Sequence, residues 1–167
     1  MPAVPSSGTA TVTIPADDQI LVTREFDAPR ELVYRAWTEP ELVRRWWAGK
    51  RGEVTSAEID MRVGGSWRYV MVTEGGFEVA FHGEFREIVP NERIVSTEIY
   101  EGAPPEAGDE PVVNVITFID LDDGRTRLDL LSRCPSREVR DLIIDSGMET
   151  GLQEGLDLLE QIAIALR

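Results

Sequence analysis

The sequence predicts an α+β domain in which a curved, seven-stranded antiparallel sheet grips one long C-terminal helix, with two short helices near the start. Three observations carry this. From residue 53 to about 133, apolar residues recur with a period of two. Short turn signals join these stretches, which suits antiparallel neighbours. The chain then closes on a helical stripe: Met148, Leu152, Gly155, Leu159, Ile162 and Leu166 fall four, three, four, three and four residues apart.

In chain order, residues 1–18 (MPAVPSSGTATVTIPADD) read as a flexible tail and residues 19–167 as the folded domain. The tail lacks the basic start and apolar run of a signal peptide. ILVTREFD, 20–27, is rich in β-branched and apolar residues and predicts a strand. In DAPRELVYRAW, Pro29 suits a first helical turn, and Leu32, Val33, Ala36 and Trp37 recur at helical spacing. Thr-Glu-Pro stops that helix. Thr38 and Glu41 have capping-box spacing, so a second short helix, ELVRRWW, is expected to start there and end at Gly49. Strands are expected at about 53–61, 66–74, 77–89, 93–101, 112–121 and 125–133. Turns fall at VGG 63–65, EGG 74–76, PNE 90–92 and DDG 122–124. EGAPPEAGDEP, 101–111, reads as a long acidic mobile loop. Ser136 is a plausible N-cap, and Asp145-Ser146-Gly147 breaks the last helical section.

Composition narrows the function. A chain of 167 residues fits one domain with a core of its own. Its single cysteine, Cys134, excludes an intrachain disulfide and is compatible with the cytoplasm, the expected location. One histidine, His82, and one cysteine cannot build a His/Cys metal site, so no metal and no cofactor are expected. A net charge of −14 argues against nucleic acid and against anionic membranes, and no stretch is long and apolar enough to span a bilayer. The same charge opposes nonspecific association, so a monomer or weak homodimer is expected.

Several residues stand out as candidate lining of a gap between sheet and helix. Trp46 follows Leu42 by four and Trp47 follows Val43 by four, so one stripe cannot bury both. One is expected to anchor the bend between the short helices, the other to border a cavity mouth. Trp37 joins them from the first helix. Trp67, Tyr69 and Met71 share one strand face, read as inward. Phe77, Val79, Phe81, Gly83 and Phe85 share a face of the next strand, opposite His82, which reads as a solvent-facing or sheet-paired histidine. Met148, Leu152 and Gly155 represent the long helix. Gly151 and Gly155 cost helix stability, which a close sheet contact or space for a ligand would offset. Gly64 and Gly65 read as tight-turn residues, and Cys134 as a small buried hydrophobe.

REFDAPRELVYRAWTEPELVRRWW, EIDMRVGGSWRYVM, FHGEFREIVPNERIV and GMETGLQEGLDLLEQIAIAL, in this order, resemble the START-like (SRPBCC, helix-grip) superfamily. Within it the chain is similar to the homologues of the activator of the 90-kDa heat-shock protein ATPase, over about residues 19–166. The resemblance implies a seven-stranded sheet, a long helix over its concave face and an apolar cavity between them. It also implies that lipids, sterols, polyketides or phenolics are the ligand classes to consider, and that some relatives are enzymes or co-chaperones.

Three functional expectations follow. The first is binding of a small, mostly apolar ligand of lipid, polyketide or phenolic class in the helix–sheet cavity. Trp37, Trp46, Trp47, Trp67, Tyr69, Met71, Phe81, Phe85, Met148, Leu152 and Gly155 are its candidate ligand-binding residues. The second is a co-chaperone-like stress-response module with a chaperone or other protein partner, although the chain has no room for the eukaryotic activator's additional domain. The third is a small acid–base enzyme of hydratase or cyclase type. No catalytic residue is assigned. Lys50, the only lysine, lies in a polar loop and argues against Schiff-base chemistry; no nucleophile elbow accompanies His82. Carboxylates in an apolar cavity remain open, but Glu58, Asp60, Glu98 and Asp129 are expected on a solvated outer face.

Overall fold

A computed structural model describes residues 10–105 and 108–167. The N-terminal part of the expected tail, residues 1–9, lies outside the described residues, as do residues 106–107 of the acidic loop. The elements are β1 (Thr11–Thr13), β2 (Gln19–Phe26), α1 (Arg30–Thr38), α2 (Pro40–Trp46), β3 (Gly52–Ile59), β4 (Ser66–Thr73), β5 (Glu78–Val89), β6 (Arg93–Tyr100), β7 (Val112–Asp120), β8 (Thr126–Arg133), α3 (Arg137–Asp145) and α4 (Met148–Ala165). All neighbours pair antiparallel in one sheet of order β1-β2-β8-β7-β6-β5-β4-β3.

The sheet therefore has eight strands, not seven. The eighth is TVT, which the sequence reading gave to the tail. Its Val12 pairs with Val22 of β2, and Ala10 exchanges two hydrogen bonds with the side-chain amide of Gln153 on α4, at 2.9 and 2.8 Å. A three-residue edge strand between Pro- and Asp-containing stretches leaves no periodicity to read, so only its pairing reveals it.

Alternation builds the concave face. In β2 the buried residues are Ile20, Val22, Arg24 and Phe26, every second position. Register shifts at Val54/Ser56 and at Phe85/Glu87 mark bulges, which increase local twist and help the sheet curl. The turns use left-handed backbone where expected: Gly64, Gly76, Asn91, Asp122, Asp123 and Gly124 all have positive φ. Gly65 serves differently. Its φ is ordinary, but an added Cβ would lie 2.2 Å from the Asp60 carbonyl oxygen.

Helix ends follow the sequence with one correction. Ser136 caps α3 by accepting from the Val139 N–H at 3.2 Å, and Gly147, with φ +83°, separates α3 from α4. Thr38 and Glu41 form no capping box. The Thr38 hydroxyl donates back to the Tyr34 carbonyl at 2.8 Å, while Glu39 caps α2 with Pro40 at its first position. Proline there needs no N–H and presets the helical φ, so α2 begins without a side-chain cap.

Candidate functional site

β2 and β8 approach α4 where its C-terminal half lies, and there the core is filled. Leu156, Leu159 and Ala163 are fully buried with Phe26, Val33 and Leu128. Arg24 is buried beneath the same half. Its guanidinium donates to Asp157 at 2.7 Å and to Glu160 at 3.2 Å, and the Asp27 N–H donates to the other Glu160 oxygen at 2.8 Å. This clamp fixes β2 to α4.

The N-terminal half of α4 stands off the sheet. Between them lies a hollow of about 1410 Å³. All eleven candidate residues border it. Trp67, Tyr69 and Met71 come from β4, Phe81 and Phe85 from β5, Trp37, Trp46 and Trp47 from the two-helix bend, and Met148, Leu152 and Gly155 from α4.

The adjacent tryptophans divide as the helical geometry requires. Trp46 is buried; its indole N–H donates to the Ala36 carbonyl at 2.8 Å and its ring packs on Trp37 at 4.9 Å between centroids. It anchors the α1–α2 bend. Trp47 points the other way and meets Tyr69 and Phe81 edge-on, each at 5.4 Å. It joins the end of α2 to the sheet along the hollow's wall. Trp67 lies over Gly83, where an added Cβ would sit 2.7 Å from the indole nitrogen, and donates to the Thr97 carbonyl at 3.1 Å.

The helical glycines also separate. An added Cβ at Gly155 would lie 3.0 Å from the Trp46 carbonyl oxygen, so this glycine admits α2, not the sheet. At Gly151 the nearest atom, on the Arg51 guanidinium, would be at an ordinary 3.4 Å.

One expectation is overturned. Glu98 does not lie on the outer face: it borders the hollow. Asn114 Nδ2 donates to Glu98 Oε1 at 2.6 Å, and Ser132 Oγ donates to Asn114 Oδ1 at 2.7 Å. A polar line thus crosses β8, β7 and β6 on the concave side. Burial pushes the Glu98 carboxyl above the usual range, and the Asn114 N–H opposes this in part. Burial also raises the Tyr69 phenol, and the Glu98 carboxylate adds to that. Sequence alternation carried half of this signal. Asn114 interrupts an otherwise apolar face shared with Val112, Ile116 and Phe118, whereas in RIVSTEIY both faces mix polar and apolar residues.

His82 turns to the opposite face of β5 from Phe81. Its Nδ1 lies 2.9 Å from Glu101 Oε2, and Arg68 grips the same carboxylate at 2.8 and 2.9 Å. These contacts hold the Glu101 carboxyl down at about 2, the Arg68 hydrogen bond contributing most and His82 next. Glu101 opens the acidic loop, whose Ala103, Pro104, Gly108, Asp109 and Glu110 border the hollow. Phe77 lies outside β5 and is 73% exposed, so it does not continue the Phe81 face into the hollow. Cys134 is buried, and its thiol is pushed up to about 11 by burial and then by the Asp18 carboxylate. Lys50 is exposed and lies off the hollow's wall. No group of His, Cys, Asp and Glu suited to a metal is present among the described residues, and none of their helices is long and apolar enough to cross a membrane.

Residues 27–163 match the family described as activator of Hsp90 ATPase homolog 1-like protein. The chain belongs to that family. Solved structures resemble this activator-homologue fold over almost their whole length. A protein from Rhodobacter sphaeroides is 21% identical with a TM-score of 0.85, over 94% of this chain and 99% of that one. One from Nitrosomonas europaea is 27% identical with a TM-score of 0.77, over 89% and 96%. One from Mycobacterium smegmatis is 22% identical with a TM-score of 0.80, over 92% and 96%. No curated protein matches the chain in sequence. Activator-homologue membership fixes the architecture; a fold alone carries no reaction.

Proposed function

We propose that the hollow between sheet and α4 binds a small, mostly apolar molecule of the lipid, polyketide or phenolic class. One observation carries this reading: a space of about 1410 Å³ walled by four tryptophans, beside a core in which Leu156, Leu159 and Ala163 are fully buried. Interiors are normally close-packed, and ligand pockets are lined mainly by apolar and aromatic groups with a few polar ones. An NMR titration of the labelled chain with fatty acids, sterols, polyketides and phenolics tests it. Saturable shifts of the indole N–H signals of Trp37, Trp46, Trp47 and Trp67 are expected. A flat response across the panel would overturn the reading.

A second reading is acid–base catalysis, of hydratase or cyclase type. Glu98 favours it, because a desolvated carboxyl beside bound substrate keeps a deliverable proton to a higher pH than an exposed one does. Turnover of a bound ligand that Glu98→Gln abolishes without weakening binding is the expected result. The co-chaperone reading rests on the family's description, and a pull-down with the purified chaperone decides it.

A further inference from the structure

The floor of the hollow carries two polar groups that lack a full set of partners. Glu98 receives one hydrogen bond, from Asn114, and no other hydrogen bond to Glu98 or to the Tyr69 hydroxyl is present among the described residues. Asn114 cannot swing away to serve elsewhere, because Ser132 holds its carbonyl oxygen. Neither oxygen is a buried orphan among the described residues; both open into the hollow, where a ligand can supply the missing hydrogen bonds. The surrounding wall is flat and aromatic: Tyr69 lies 4.8 Å from Trp67 and 5.4 Å from Trp47 between ring centroids.

We propose that Glu98 and Tyr69 form a two-point anchor for one oxygen of the bound molecule, which makes the ligand an uncharged, flat molecule bearing a carbonyl or phenolic oxygen. This rests on the ligand-binding reading above and narrows it. Tyr69 keeps its phenolic proton, and burial lets Glu98 hold its proton to a higher pH than a surface carboxyl does. Two donors lining the same hollow suit a carbonyl acceptor. A fatty-acid carboxylate would find no cation on the floor among the described residues, since Arg51, which borders the hollow, lies under Gly151 of α4, and it would be repelled wherever Glu98 has lost its proton.

The test uses a shape-matched pair: 2-acetylnaphthalene, and 2-isopropenylnaphthalene with a methylene in place of the oxygen. Binding to the labelled full chain is followed at the Trp47 and Trp67 indole signals, with decanoate as the anionic comparison. The ketone is expected to bind about tenfold or more tightly than the alkene, since a site built around hydrogen bonds rejects the analogue lacking them. Tyr69→Phe is expected to shrink that gap severalfold. The ketone's affinity should also fall with rising pH as Glu98 loses its proton, and Glu98→Gln should flatten this profile. Other titratable groups act on Glu98 or border the hollow: Tyr69 from β4, Cys134 after β8, and His82, Glu101, Asp109 and Glu110 at the rim. Only the Glu98 dependence disappears in Glu98→Gln. Dispersed indole signals in the unliganded variants establish that they fold. Equal affinity for ketone and alkene, or decanoate binding more tightly than the ketone, would overturn the anchor and leave an apolar binding site standing. Should neither naphthalene move any indole signal, the ligand-binding reading falls and the anchor with it.

Discussion

The C-terminal half of α4 presents Leu156, Leu159, Ile162 and Ala163, all buried, while the N-terminal half presents Met148, Gly151, Leu152 and Gly155 to the hollow. One continuous helix thus crosses a dry core and an open space. The difference lies in what meets it. Under the C-terminal half β2 and β8 bring Phe26, Arg24 and Leu128 up to the helix. Under the N-terminal half Trp46 and Trp47 act as spacers, one filling the bend and one bracing the sheet. Clamping a helix at one end sets its distance from the sheet at the other, so the stability of the first half maintains the space beneath the second.

The largest break in this arrangement is expected at Arg24. Removing one member of a buried ion cluster leaves the other uncompensated, at about 3–5 kcal/mol. Arg24→Met should therefore lower the urea midpoint steeply. Adding Glu160→Gln should recover part of the loss, because no charge is left unpaired at that buried position and the amide oxygen can still accept from the Asp27 N–H. A double variant no more stable than Arg24→Met would show that the clamp is not the source.

Next comes a pair of leucines. Leu159→Ala opens a cavity in a filled core and is expected to cost ~2–5 kcal/mol. Leu152→Ala removes a side chain that already borders empty space, so it should cost about 1 kcal/mol, since fewer packing contacts are lost. Equal costs by denaturant titration would mean that the hollow is closed in solution.

The glycines sharpen the comparison at smaller scale. Gly151→Ala is expected to stabilise by about 0.5–1 kcal/mol, because alanine favours the helix and its Cβ meets only the Arg51 side chain. Gly155→Ala should fail to show that gain, since its Cβ presses on the Trp46 carbonyl, a backbone atom that moves only with α2. The thermal midpoint of Gly151→Ala should rise above that of the native chain, and that of Gly155→Ala should not.

The same contrast explains what could be read in advance. Strand period, turn residues and the α4 stripe each report local geometry, so β2–β8 and the helices were legible to within a few residues. Trp67, Tyr69 and Met71 were legible as an inward face because their neighbours Arg68 and Val70 do not form an equally aromatic one. TVT was not, because three residues at an edge have no period. Gly155 was readable only as a helix glycine whose cost a close sheet contact or ligand space would offset; that α2 is the close neighbour was not, since α2 reaches it only through tertiary folding. Glu98 escaped because its strand has two mixed faces, and its orientation is fixed by pairing with β5 and β7.

The smallest expected effects are electrostatic, and they run in opposite directions on the two faces of β6 and its end. Glu98 has a raised carboxyl in the folded protein, so between the ordinary glutamate value and that raised value the folded state binds more protons than the unfolded one. Stability then falls as pH rises through this window. Glu101 is held at about 2, so in the window from its ordinary 4.5 down to about 2 the unfolded state binds more protons, and stability is lost as pH falls. The Arg68–His82–Glu101 contacts are partly solvated, which makes the Glu101 contribution the weaker one. Glu98→Gln should flatten the decline above the ordinary glutamate value without touching the acid limb, and Glu101→Gln should do the reverse. Unfolding by urea across the pH range separates them. A Glu98→Gln profile parallel to that of the native chain would mean that the carboxyl reaches bulk water, and that the hollow's floor is wetter than its apolar walls imply.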